Sequence, residues 1–251
     1  MHIPLLSDLI DVLLPAVCLA CGRRLRRPGG SLPLCGTCAA ALERRRRRGE
    51  VVELDGLPLL AAFDYRYPLT ALVPAAKFRG LPSVFTGVAP GLVCAVRRAG
   101  LVRYGECVVP VPLHPARRRE RGYDQALLLA RRVGAELGIP VVAGALRRRR
   151  PTPPLKRVGS GERERAVRGA FVPGPGAVRV EGRRVLLVDD IATTGATLHA
   201  AASALREAGP ASLLGLVAAR TPAPPPSDRD PIPIPEANSP AGPRPARFQA
   251  R

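Results

Sequence analysis

The sequence predicts an α/β fold: a parallel sheet flanked by helices, with a small cysteine-bearing module in front and a tail behind. Three observations carry this expectation. From residue 106 onward, short apolar runs alternate with segments of helical period, the pattern of strands buried on both faces and joined by crossover helices. The first fifty residues hold two CxxC pairs, Cys18 with Cys21 and Cys35 with Cys38. From Thr221 onward ten of thirty-one residues are proline, a composition that favours disorder or polyproline conformation over a packed core. The expected division is 1–50, 51–220 and 221–251.

At the N-terminus, Leu5, Leu6, Leu9, Ile10 and Leu13 fall at helical spacing, and Asp8 and Asp11 interrupt the apolar run. An amphipathic helix packed on the protein is expected, not a leader peptide or a membrane span. Residues 51–65, VVELDGLPLLAAFDY, read as two strands around a turn at Asp55-Gly56. Helical patterns follow near 68–78 and 83–98. Then ECVVPVPL reads as a strand, YDQALLLARRVGAEL as a helix and IPVVAGAL as a strand. Residues 147–165, rich in Arg and Gly, read as a loop able to act as a lid. AVRGAFV and RRVLLVDD are further strands, ATLHAAASALREAG a helix and ASLLGLVAA the last strand. Hydrophobic residues make up 46% of the chain with no Trp, so the core is aliphatic. No segment approaches the eighteen apolar residues a bilayer span needs, and a cytoplasmic protein is expected.

The formal charge is +19, from 39 basic and 20 acidic residues. Such an excess suits a polyanionic partner such as nucleic acid, a membrane surface or a phosphate-rich ligand. Only Lys77 and Lys156 are lysines, and an arginine-rich, lysine-poor composition also reflects genomic bias.

The stretch VLLVDDIATTGATLHAAASALREAG carries the chemistry. In a parallel sheet, ligands sit beyond the carboxyl ends of the strands, and Asp189 and Asp190 are the first residues out. Neighbouring residues of a strand point to opposite sides, but as the strand breaks into a loop there both acids can face one pocket. Carboxylates only accept hydrogen bonds, which suits the vicinal hydroxyls of a sugar or a hard cation such as Mg²⁺. Ala192, Thr193, Thr194, Gly195, Ala196 and Thr197 then open a helix, where free N–H groups and the dipole favour a phosphate. Acids for a ribose and a turn for its phosphate make a ribose-5-phosphate site. A Walker A loop is excluded, because no Gly-Lys-Ser/Thr triplet occurs. A phosphorelay receiver would need about a hundred further residues, including a later phosphoacceptor Asp; sixty-one follow Asp190.

A second cluster follows the strand at 107. In PVPLHPARRRERGYDQ, His114, Arg117, Arg118, Arg119 and Arg121 crowd into eight positions, and arginine is suited to bidentate phosphate contact. Arg163 and Arg165 are the phosphate candidates of the 147–165 loop. The four cysteines, with thirteen residues between the pairs, match a tetrahedral Zn²⁺ site that would staple a module too small for its own core. Cys94 and Cys107 read as apolar core residues.

The diphosphoribosyl-binding loop of type I phosphoribosyltransferases resembles VLLVDDIATTGATL: a strand, two acids and a Thr/Ser-Gly turn. The wider chain, over about residues 10–220, resembles the ComF (competence protein F) family in its CxxC…CxxC, VVPVPLHPARRRERGYDQALLLA, GERERAVRGAF and the loop. The resemblance implies a type I phosphoribosyltransferase-like sheet with an N-terminal zinc-ribbon-like module. It implies binding of phosphoribosyl diphosphate or a related sugar phosphate with Mg²⁺, and transfer of the phosphoribosyl group to an acceptor. Asp189 and Asp190 would hold the ribose, residues 192–197 the phosphate, and His114, Arg117, Arg119, Arg121, Arg163 and Arg165 the pyrophosphate or another polyanion. It also implies the alternative of a non-catalytic factor in DNA uptake or processing, with single-stranded DNA or DNA-processing proteins as partners; so few aromatic residues argue against strong base stacking. The chain departs from the family at three places. Asp124 stands in RGYDQ where the family has the Asn of RGFNQ, and Leu155 and Ala166 stand where it carries Gln and Asn.

Overall fold

The computed structural model describes residues 16–25, 32–151 and 165–222. The N-terminal helix expectation, most of the 147–165 loop with Arg163 and Leu155, and nearly all of the proline-rich tail lie outside the described residues.

The expected hairpin forms from β1 (Val51–Leu54) and β2 (Leu57–Asp64). Its two turn residues both have positive φ, 50° at Asp55 and 74° at Gly56, as the right-handed twist of a two-residue hairpin demands. The remaining strands of the sheet are β3 (Cys107–Pro110), β6 (Arg184–Ala192) and β7 (Ser212–Arg220). The spatial order is β1-β2-β7-β6-β3. Neighbours from β2 to β3 run parallel, and β1 is an antiparallel edge.

Among the described residues, the helices that accompany the sheet are α1 (Gly36–Glu43), α2 (Leu69–Arg79), α3 (Ser83–Arg98), α4 (Pro115–Arg121), α5 (Gln125–Leu137) and α6 (Ala196–Arg206). Helices α2, α3 and α5 cover one face, sharing a core with Leu186 and Val188 of β6. In α5 the buried positions Ala126, Leu129, Ala130 and Val133 follow the i, i+3, i+4, i+7 spacing of a one-sided helix. The opposite face, with Val185 and Leu187, packs against α6 and a separate hairpin of β4 (Leu146–Arg148) and β5 (Phe171–Pro173).

The segment IPVVAGAL, expected to be a full strand, adds only the parallel bridge Val108↔Val141 to the sheet. The chain then turns away at Gly144. Its carbonyl accepts from Gly176 N at 3.0 Å, and Ala145 O accepts from Gly174 N at 2.8 Å. A Cβ on Gly174 would collide with the Gly144 carbonyl, so glycine permits this close approach. Leu146–Arg148 therefore pairs with β5, turning the start of the expected 147–165 loop into a strand.

The Arg44–Arg48 run is not a free linker. Arg47 N donates to Ala62 O and Asp64 N to Arg45 O, at 2.8 Å each, so the cysteine module is tied to the edge of β2. No helix among the described residues is long and apolar enough to cross a membrane.

Candidate functional site

The sheet reverses its winding between β3 and β6. After β3 the chain passes through α4 and α5 and returns at Val141 on the outer side of β3; after β6 it passes through α6 and returns as β7 on the other side. The crevice at the carboxyl ends of two such strands is where open α/β sheets bind ligands. β3 makes its last rung at Pro110↔Val188, and β6 runs on with β7 through Asp189↔Val217 to Ala192↔Arg220. Both acids therefore stand on a strand whose β3-side edge is bare. The Asp190 N–H on that edge is taken by Asp189 Oδ1 at 2.8 Å.

Because the strand does not break at the acids, the expectation that both face one pocket is corrected. Asp190 continues the row of Leu186 and Val188, and its Oδ2 is ion-paired with Lys77 Nζ of α2. Asp189 continues the row of Val185 and Leu187 towards β4, whose Arg148 interacts electrostatically with it and with Asp124. The two residues are 7% and 5% exposed. Burial, and then the Asp190 charge, push the Asp189 carboxyl well above the usual carboxylate range, against the pull of the Asp190 N–H and Lys77. Burial lowers the Arg148 guanidinium, which also stacks 5.1 Å from the Phe171 ring centroid. Lys77 escaped the sequence reading because it lies far from the motif, and Arg148 because nothing distinguishes it within the run Arg147–Arg150.

The turn after the acids is shorter than expected: Ala192 still belongs to β6, and Thr193, Thr194 and Gly195 join it to the helix. Thr193 is exposed, and Thr194 and Thr197 are half-buried. α6 begins at Ala196 with Gly195 as its N-cap residue at φ 79°. A side chain at 195 would also run into Leu54 of β1, so glycine is required by packing as well as by conformation.

The basic cluster forms α4 at the end of β3. His114 caps it, its Nδ1 accepting from Ala116 N at 3.3 Å. Arg117 pairs with Glu120 at 3.0 Å, Arg121 donates to the buried Gln125 at 2.6 Å, and Arg118 and Arg119 are exposed. Asp124 N-caps α5: Oδ1 accepts from Leu127 N at 3.1 Å and Oδ2 from Leu113 N at 3.0 Å. Two acceptors meet two donors, which explains why Asp serves here. Tyr123 Oη donates to Ala76 O at 2.7 Å, tying this segment to α2. Arg165, the first described residue after 164, is exposed.

A cavity of about 520 Å³ opens beside α6, lined among others by Asp55, Arg168, Phe171, His199, Ser203 and Glu207. Neither acid lines it. The placement of the acids and the turn at the switch point carries the functional reading; this cavity does not.

Cys18, Cys21, Cys35 and Cys38 converge, with all four sulfurs within 4.8 Å of one another. Cys21 and Cys35 are 3.7 Å apart, close to the ~3.8 Å between thiolates on a tetrahedral metal with 2.3 Å bonds. The first pair closes through Gly22 N–H to Cys18 O at 2.8 Å, with Gly22 at φ 74°. The second pair sits at the start of α1, whose N-cap is Cys35, where the helix dipole favours thiolate. Burial raises the Cys18 thiol, but backbone hydrogen bonds from Cys35, Cys21 and Ala20 outweigh it and bring it to about 6. Burial pushes Cys38 up to about 12. Cys107 is buried as expected, and Cys94 is half-buried.

A family profile described as a phosphoribosyl transferase domain matches residues 124–232, a span that includes β6, both acids and the turn. Competence protein F of Haemophilus influenzae is 29% identical over 199 residues, covering 77% of this chain and 85% of that protein. The chain is a homologue of competence protein F. DNA utilization protein YhgH of Salmonella typhimurium is 28% identical over 200 residues, covering 78% of the chain and 87% of its own length. Competence protein ComFC of Bacillus subtilis is 26% identical over 205 residues, with 78% and 80% covered. The α4 arginines and Lys77 precede the matched residues 124–232, so the crevice draws on residues from outside them.

Proposed function

We propose that the chain binds phosphoribosyl diphosphate, or a related ribose 5-phosphate, with Mg²⁺ at the carboxyl end of β6, and transfers the phosphoribosyl group to a nucleophilic acceptor. The observation that carries the reading is one strand–acid–acid–turn–helix unit at the switch point, inside a matched phosphoribosyl transferase domain. The Asp190 carboxyl would accept hydrogen bonds from the ribose hydroxyls, Asp189 would hold the Asp190 N–H from the other face of the strand, and N–H groups of residues 192–197 would hold the 5-phosphate. In the reaction the bond from C1 to the diphosphate breaks, with its electron pair leaving on the pyrophosphate. The acceptor forms the new bond to C1. Positive charge growing on the ring is offset by Asp190, and negative charge on the leaving group by His114, Arg117, Arg119, Arg121, Arg163 and Arg165. Magnesium would supply a further hard cation for the diphosphate, and the carboxylate oxygens are donors of the type it takes.

Zinc is the proposed occupant of the four-thiol cluster, on the fit of donor set and spacing. Its role is structural, holding the module of residues 1–50 beside a catalytic domain of 51–220. The second reading is a factor in DNA uptake or processing; the names of the relatives and the exposed arginines of α4 favour it. The decisive experiment is release of pyrophosphate from phosphoribosyl diphosphate and Mg²⁺ with a panel of nucleobases. Release that Asp190→Ala abolishes supports the enzyme. Release at the buffer rate with every acceptor, beside salt-sensitive DNA binding, supports the second reading.

A further inference from the structure

Lys77 is one of two lysines among 39 basic residues, and it lies against the most deeply buried acid of the site. Its Nζ is ion-paired with Asp190 Oδ2, with the lysine side chain 26% exposed and the aspartate side chain 7%. The backbone beneath it is firmly held. Leu69, Leu72, Val73 and Ala76 bury the inner row of α2, and the carbonyl of the preceding residue, Ala76, accepts the Tyr123 hydroxyl at 2.7 Å. The ammonium is thus anchored to one carboxylate oxygen while part of its side chain still meets solvent.

Counter-ion duty alone accounts for the pair in the empty site, since a buried carboxylate without a partner is costly. The chemistry of the proposed ligand gives the ammonium a second task. In an α-configured ribosyl diphosphate, the oxygen on C1 and the hydroxyl on C2 are cis on neighbouring ring carbons. A cation touching the carboxylate that accepts the ribose hydroxyls therefore lies beside the bridging oxygen of the diphosphate.

We propose that Lys77 is a substrate-binding residue for the leaving group, an inference that rests on the site reading given above. In the empty site its ammonium neutralises Asp190. In the loaded site the ribose hydroxyls donate to Asp190, and the ammonium contacts the diphosphate. As the C1–O bond breaks and its electron pair passes to the pyrophosphate, Lys77 stabilises the growing charge and keeps its own proton.

The test is titration calorimetry on the full chain with phosphoribosyl diphosphate and Mg²⁺, and separately with ribose 5-phosphate, for wild type, Lys77→Met and Lys77→Arg. Lys77→Gln replaces Lys77→Met if the latter melts early. The expected result is about a tenfold or greater loss of affinity for the diphosphate in Lys77→Met, with less than about a twofold change for ribose 5-phosphate. Lys77→Arg should recover part of the loss. Equal weakening of both ligands, or no change in either, would overturn the inference and leave the site reading standing. Wild-type protein that binds neither ligand would remove that reading and this inference with it.

Discussion

The Cys38 sulfur and the Tyr67 hydroxyl lie 3.0 Å apart. Tyr67 directly precedes the N-cap residue of α2, the helix that carries Lys77 to Asp190, so the segment leading into this helix touches the cysteine cluster and the helix itself touches Asp190. With a metal on the sulfur the hydroxyl is the donor, and such outer partners tune how firmly a ligand holds its metal. Tyr67→Phe should keep one zinc per chain but release it to a chelator about 10–100-fold faster. An unchanged release rate would show that the contact is incidental.

Asp124 gives each of two backbone donors its own carboxylate oxygen. Asparagine has one acceptor oxygen, and its amide group would face an N–H with an N–H. Asp124→Asn should therefore destabilise the protein by about 1 kcal/mol and lower the melting temperature by about 2–4 °C. A melt that overlays the wild type would contradict this.

Asp189 should trade stability for function. Burial first, and the Asp190 charge second, raise its folded-state pKa above the unfolded value of about 3.9. The folded state then holds the proton more tightly than the unfolded state. The favourable contribution is full at low pH and is lost as pH rises through the raised value. Asparagine has no charge to bury and keeps an oxygen for the Asp190 N–H. Asp189→Asn should melt close to wild type near pH 4 and gain on it as the pH rises, by about 2–4 °C near pH 8. A gap that closes with rising pH would reverse the assigned sign.

These sites were unequally legible in the sequence. The hairpin turn at Asp55-Gly56, the CxxC pairs and the run from Val185 through the turn before α6 are local signals, in which the chemistry and the conformation occupy the same few residues. The separation of Asp189 from Asp190 was not local. It depends on β7 pairing with β6 as far as Ala192↔Arg220, which keeps the strand extended past the acids. Lys77 and Arg148 reach the site through tertiary packing and carry no motif. Gly195 is legible as part of the turn, but Leu54 pressing on it from β1 is a tertiary contact that no local signal carries.

That contact makes Gly195 a sensitive position. Gly195→Ala must accommodate φ 79° and displace Leu54, a strain of about 1–3 kcal/mol. The turn should shift, and affinity for ribose 5-phosphate should fall about tenfold or more, with the four cysteines still holding metal. Unaltered affinity would mean that this turn does not hold the phosphate.

The most direct test is a crystal structure of the protein soaked with phosphoribosyl diphosphate and Mg²⁺. The predicted result places the ribose hydroxyls on Asp190, the 5-phosphate on the N–H groups of residues 192–197, and the diphosphate beside Lys77. Density for the ligand elsewhere, such as the cavity beside His199 and Ser203, with the crevice between β3 and β6 empty, would contradict the account.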